Sequence, residues 1–314
     1  MAFHVDGGGD ITTTSAVNIA DYEALFAPLS ERYDAVIHIN LGSGFSSCHQ
    51  NARIAAQEFG NVYVADSRNL SSGHGLVVLA AALICPAWGE DFRPLLENRP
   101  LTAGDSVSDW LAIASGRAGL QRPDYLRDLE SYVTSMYREN GGLDRIKATE
   151  WHRITLAVQA QGGDPTAFGR DREGKPIDLV AEGTYNWSRS RSLGAQGLNG
   201  WIFALITLDS GGFAVPEGAA YTREDMRRAI LSAQTEEGAF GLSAGTADVD
   251  ITAMALQALA PYQEDPATAE AIRRGLAWLS GQQTENGDFV SWGDPNAEST
   301  AQVLIALCSL GLDP

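Results

Sequence analysis

Two carboxylates, Asp248 and Asp250, stand where the apolar stretch DVDITAMALQALAPY begins. A carboxylate in that position can accept hydrogen bonds from the free N–H groups of a helix's first turn and so cap it. It can act as an acid instead only if burial or a neighbouring carboxylate keeps its proton, because a helix amino terminus favours the ionised form. Residues two apart do not share a helix face, and no partner carboxylate is evident, so the pair does not form a two-carboxylate glycosidase site. Ser43 lies in LGSGF and not in a G-x-S-x-G nucleophile elbow. Cys48, Cys85 and Cys308 are far apart, without a CxxC or a nearby His pair, and are expected to be buried free thiols. His38, His49, His74 and His152 lack metal-spaced partners, so neither a metal nor a cofactor is expected.

The element that carries the pair is one unit of an internal repeat. WLAIA (from Trp110), LAVQA (from Leu156), ALITL (from Ala204), ALQAL (from Ala255) and VLIAL (from Val303) recur every 46 to 51 residues, the mark of stacked supersecondary units. Turns with an acidic residue, a glycine and an apolar residue at matching offsets separate them: RENGGL, TEEGAF and TENGDF, with AEGTY a weaker copy. Glycine in such a turn allows the left-handed backbone conformation. More polar helices lie between: DYLRDLESYVTSMY, TREDMRRAILSAQ, where Thr222 and Asp225 form an expected capping box, and DPATAEAIRRGLAWLSGQQ, where Pro266 suits a first turn. Apolar helices alternating with amphipathic ones predict an inner and an outer layer. Trp110, Trp151, Trp201 and Trp292 fall near the starts of the inner helices, with Phe203 and Trp187 close by. They either line an aromatic mouth for an apolar ligand or simply pack the core.

The first 85 residues follow a different rule. YDAVIHIN, SSCHQNARIAAQEF, NVYVADS and SSGHGLVVLAAALI read as a βαβα order with a parallel sheet. The loop Leu41 to Ser47 combines glycines and hydroxyls at a helix start, where it can hold an anion or merely supply a cap. The proline-bearing stretch 86–105 is read as a connector, which gives three parts: 1–85, 86–105 and 106–314.

Both parts carry a resemblance. TTS at Thr13 to Ser15, with DAVIHINLGSGFSSCHQNARIAAQEFGNVYVADSRNLSSGHGLVVLAAA, resembles the DegV fatty-acid-binding family. That resemblance implies a lipid-carboxylate site at Thr14, Ser15 and Ser43. Gly42 stands in place of the first serine of the family's pair, and the family's opening strands and second domain have no counterpart here, so the implied headgroup site is degenerate. The repeat region, through KATEWHRITLAVQAQGGDPTAFG, GLNGWIFALITLDSGGF, DVDITAMALQALAPYQ and VSWGDPNAESTAQVLIALCSLGLDP, resembles the α/α toroid of prenyltransferase and squalene cyclase repeat proteins. The fold it implies is a partial toroid of about five helix pairs. In class II terpene cyclases a DxDD motif carries the acid that protonates an alkene. Asp250 stands at the acid's place and Asp248 at the motif's start, while Ile251 replaces the final aspartate. Vitamin-binding relatives share the toroid, so a cobalamin-type ligand is a further implication.

A formal net charge of −18, from 40 acidic and 22 basic residues, argues against a nucleic-acid partner. The start MAFHVDGGGD lacks a signal peptide's pattern, and no apolar run reaches the roughly 20 residues of a membrane span, so a cytoplasmic location is expected, although relatives of the toroid are often exported. The expected function is non-catalytic binding of an apolar, lipid or isoprenoid-like ligand or partner, with Trp151, Trp201, Phe203 and Trp292 as ligand-facing residues. The alternatives are a terpene-cyclase-like enzyme acting through Asp250, or a fusion with neither site complete.

Overall fold

A computed structural model describes residues 17–40, 47–66, 99–284, 287–291 and 294–312. The chain divides into two compact units, 1–74 and 75–314.

In the first unit, helix α1 (Ile19–Arg32) is capped by Asn18, whose side chain accepts from the Asp21 N–H, and it buries Tyr22 and Phe26 one turn apart. Strand β1 (Val36–Asn40), helix α2 (Cys48–Ala56) and strand β2 (Val62–Asp66) follow, and the strands pair in parallel from Val36↔Val62 to Asn40↔Asp66. This is the expected βαβ crossover, with α1 added in front. Tyr22 and Phe26 pack with Ala52, Ala55 and Val62 in a small core of their own. The fourth expected element, SSGHGLVVLAAALI, lies outside the described residues. Cys48 is buried as expected, whereas Cys308 in the second unit is exposed, because it falls on the outward side of the last helix with Ile305; Cys85 lies outside the described residues.

The second unit alternates two kinds of helix, in the order α3 (Ser106–Arg117), α4 (Pro123–Asn140), α5 (Ala148–Ala160), α6 (Leu179–Gly183), α7 (Asn199–Ser210), α8 (Arg223–Ser232), α9 (Val249–Leu259), α10 (Pro266–Gln282) and α11 (Ala297–Ser309). A short antiparallel hairpin, β3 (Phe289–Ser291) and β4 (Asp294–Asn296), precedes α11. The even-numbered long helices bury one stripe: Tyr125, Leu129, Val133 and Tyr137 in α4, and Met226 and Ile230 in α8. That is the pattern of a helix wet on one side. The odd-numbered helices bury far more of their circumference, and α5 is buried from Trp151 through Val158. Each packs on the next, α3 on α5, α5 on α7, α7 on α9 and α9 on α11.

These inner helices run parallel. Asp109 of α3 meets Arg153 of α5, further along both helices Gln161 donates to Ala112 O at 2.6 Å, and Gln159 donates to Ser210 O at 2.8 Å at the ends of α5 and α7. A row of parallel inner helices, each reached through an outer connection, is the partial α/α toroid. One outer position departs from the regular pattern, since the five-residue α6 and a single 3-10 turn (Leu193–Gln196) replace a long helix between α5 and α7. The expected capping box at Thr222 and Asp225 is present, and Pro266 opens α10. The turn glycines Gly141, Gly238 and Gly287 all have positive φ.

The starts of α3 and α5 are pinned by a buried ionic group. Asp109, fully buried, accepts from Tyr125 Oη (2.6 Å), Arg153 Nε (3.0 Å) and the Gly104 N–H (3.1 Å). Arg153 also holds Glu150 through two bonds of 2.9 and 2.7 Å. Burial outweighs these partners and leaves the Asp109 pKa raised.

Candidate functional site

The start of α9 is tied to the turn before it. Asp248 has extended backbone and its carboxylate accepts from the Ile251 N–H at 2.9 Å, so Asp248 is the helix cap. Thr252 Oγ1 accepts from the Phe240 N–H (2.9 Å) and donates to Phe240 O (3.1 Å), strapping the TEEGAF turn to the helix. The next repeat is built alike. Asn296 caps α11 by accepting from the Glu298 and Ser299 N–H groups, and Thr300 Oγ1 accepts from the Phe289 N–H at 3.1 Å. Asp248 and Asn296 correspond, as do Thr252 and Thr300, and the same offset sets Glu298 opposite Asp250 on the adjoining inner helix.

With Asp248 doing the capping, Asp250 has no part in it. Asp250 is half-buried, and its Oδ1 is wholly buried without a hydrogen-bond partner. Burial pushes its pKa up, the nearby Ser299 hydroxyl pulls it partly back, and the charge of Asp248 pushes it further up. Ser299 is fully buried, and its Oγ stands near enough to Asp250 to ease ionisation yet outside ordinary hydrogen-bond geometry. The Glu298 pKa is raised as well, first by burial and then by the charge of Asp250. Among the described residues, none of these three acids takes part in an ion pair. No three His, Cys, Asp or Glu side chains among those residues converge closely enough to hold a metal ion.

Glu298 is therefore the partner carboxylate that Asp248 and Asp250 lack in the linear sequence. The signal for it was present: superposing VLIAL on ALQAL carries Thr300 onto Thr252 and Glu298 onto Asp250.

The aromatic residues divide into different settings. Trp110 of α3 and Phe203 of α7, each half-buried, meet at 5.8 Å between ring centroids although α5 lies between their helices in the row. Trp151 is fully buried, donates to Tyr137 Oη at 2.9 Å, meets Trp187 edge-on at 5.3 Å and lies beneath the Arg189 guanidinium. Trp201 is half-buried edge-on to Tyr221 and walls an open groove of about 440 Å³ with Leu198, Ala229, Leu242 and several glycines. Thr14, Ser15, Ser43 and Trp292 lie outside the described residues. Among the described residues no helix is long and apolar enough to cross a membrane.

Comparison with known proteins finds two kinds of similarity. Residues 2–96 match the family model "Uncharacterised protein, DegV family COG1307". A DegV domain-containing protein of Deinococcus radiodurans is 37% identical over 79 residues, 25% of this chain and 28% of that relative. The chain thus spans little more than a quarter of the relative's length. Among solved structures, two complexes of variants of the type II terpene cyclase MstE from Scytonema with its substrate geranylgeranyl dihydroxybenzoate are similar. The first is 15% identical with a TM-score of 0.35, covering 75% of this chain and 96% of the cyclase. The second is 14% identical with the same TM-score, covering 76% and 97%. The similarity to the DegV family is thus confined to residues 2–96, and helices α3 to α11 follow that segment.

Proposed function

We propose that the helical unit, residues 106–314, binds an apolar ligand of lipid or isoprenoid type at the amino-terminal end of its inner helices. The observation that carries this reading is the Trp110–Phe203 contact, made by half-buried aromatic rings of two inner helices that are not neighbours in the row. Ile206, Ile251 and Met254 of α7 and α9 are likewise only partly buried, so apolar surface continues along the inner layer. Partly buried aromatic and aliphatic groups beside a few polar ones are the usual lining of a small-molecule site. On this reading the DegV-type segment contributes a degenerate fatty-acid headgroup site at Thr14, Ser15 and Ser43. Residues 1–85, 86–105 and 106–314 then act as segment, connector and binding unit. Mass spectrometry of lipids that copurify with the full chain tests the proposal: finding neither fatty acid nor isoprenoid at stoichiometric level would end it for both units.

A second reading has its own support. Asp250 is relieved of capping by Asp248, has a buried unpartnered oxygen and has a raised pKa, the environment that lets a carboxylic acid keep its proton and protonate an alkene. Conversion of a polyprenyl substrate that disappears in Asp250→Asn supports the acid role. Conversion that survives the substitution excludes it.

A further inference from the structure

The corner between α9 and α11 holds polar groups that neither capping nor ion pairing uses. Asp250 Oδ1 and Ser299 Oγ are both buried without a hydrogen-bond partner, and Ser299 is 0% exposed. Glu298 adjoins Ser299 in sequence and interacts electrostatically with Asp250 across the two helices. A buried acceptor left unsatisfied costs about 1–3 kcal/mol, more when charged, and the single O–H of Ser299 cannot satisfy a carboxylate with several lone pairs, so the corner is suited to a further donor.

The chemistry of the corner narrows what that is. The Asp248 side chain already takes the Ile251 N–H and the Asn296 side chain the Glu298 and Ser299 N–H groups, and the carboxylates at both helix starts repel an anion. A metal ion needs more converging ligands than the described residues provide. A neutral hydroxyl satisfies one acceptor and leaves the carboxylate charge uncompensated. An ammonium group carries several N–H donors and the opposite charge, and it would meet Asp250 Oδ1, Ser299 Oγ and Glu298 together.

We propose that Asp250, Glu298 and Ser299 form a headgroup site for an organic cation, an ammonium borne on an apolar body. The apolar body rests on the binding function proposed above, while the headgroup rests on the unpartnered atoms alone.

Calorimetric titration of the full chain with decylammonium, decanol and decanoate, each below its aggregation concentration, decides the matter. Decylammonium is expected to bind about tenfold more tightly than decanol, with decanoate weakest. The double variant Asp250→Asn with Glu298→Gln should lose that preference and keep its affinity for decanol, while Glu237→Gln, an exposed acid elsewhere, should keep the preference. Equal affinity of the wild type for ammonium and alcohol would overturn the inference and leave the apolar reading standing, as would a preference that persists in the double variant. Binding of neither ligand would remove both. If circular dichroism shows the double variant unfolded, the wild-type preference among the three headgroups still upholds or overturns the inference.

Discussion

Glu298 faces Asp250 across neighbouring inner helices, one repeat further along the chain, and the charge of Asp250 helps to raise the Glu298 pKa. A raised folded-state pKa in an acid means that the protonated form suits the fold better. The associated stability is present below the unfolded pKa and is lost as pH rises through the folded one.

Asp250→Asn imitates the protonated form. It should stabilise the protein by about 1 kcal/mol at pH 7, since it removes a poorly partnered buried charge beside Asp248 and Glu298. A rise of about 2–4 °C in melting temperature is expected, shrinking towards zero as the wild-type carboxyl is protonated in acid. Thermal melts of both proteins across the acid range check it.

His152 predicts the opposite slope. It is 1% exposed, its Nε2 lies 2.7 Å from Gly183 O, and burial lowers its pKa from 6.5 to about 4. The unfolded chain therefore binds more protons than the folded one between these values. Stability should be complete above pH 6.5 and fall by about 3 kcal/mol as pH drops to 4. An NMR titration in which the His152 ring stays neutral at pH 5.5 tests the cause directly.

Arg153 compensates a fully buried Asp109. Arg153→Met strands that carboxylate, along with the half-buried Glu150, and should cost about 3–5 kcal/mol. Adding Asp109→Leu to it should recover much of the loss, because removing both charges is far milder than removing one. Urea unfolding of the two single variants and the double variant measures the coupling.

Two turn glycines separate backbone strain from crowding. Gly238 has a φ of +97° and a Cβ there would stand 2.7 Å from Arg274 O, whereas Gly245 has a φ of +76° and open space around it. Gly245→Ala should cost about 1 kcal/mol, from the left-handed backbone alone, and Gly238→Ala clearly more. Melting temperatures of the pair decide whether the TEEGAF turn is held rigidly against α10.

Phe203→Ala should reduce the amount of copurified apolar ligand severalfold with only a modest loss of stability, since the ring is half-buried. Trp151→Ala should instead destabilise by about 3–5 kcal/mol, because that ring is fully enclosed and hydrogen-bonded to Tyr137. Quantitative lipid analysis alongside chemical unfolding distinguishes the two roles.

The amino-acid sequence by itself determined the elements and their alternation. The β1–α2–β2 crossover, the apolar inner helices, the Thr222–Asp225 capping box and the left-handed turn glycines all follow from local periodicity and backbone preference, which act over a few residues. Which aspartate caps α9 and which is left over, whether Trp151 or Phe203 meets a ring from another helix, and that Glu298 comes to stand opposite Asp250 were decided by the tertiary structure alone. Burial and partner choice depend on residues some 50 to 90 positions apart being brought together, as Trp110 and Phe203 are. One repeat offset, read from Thr252 and Thr300, is the trace of that packing left in the linear order.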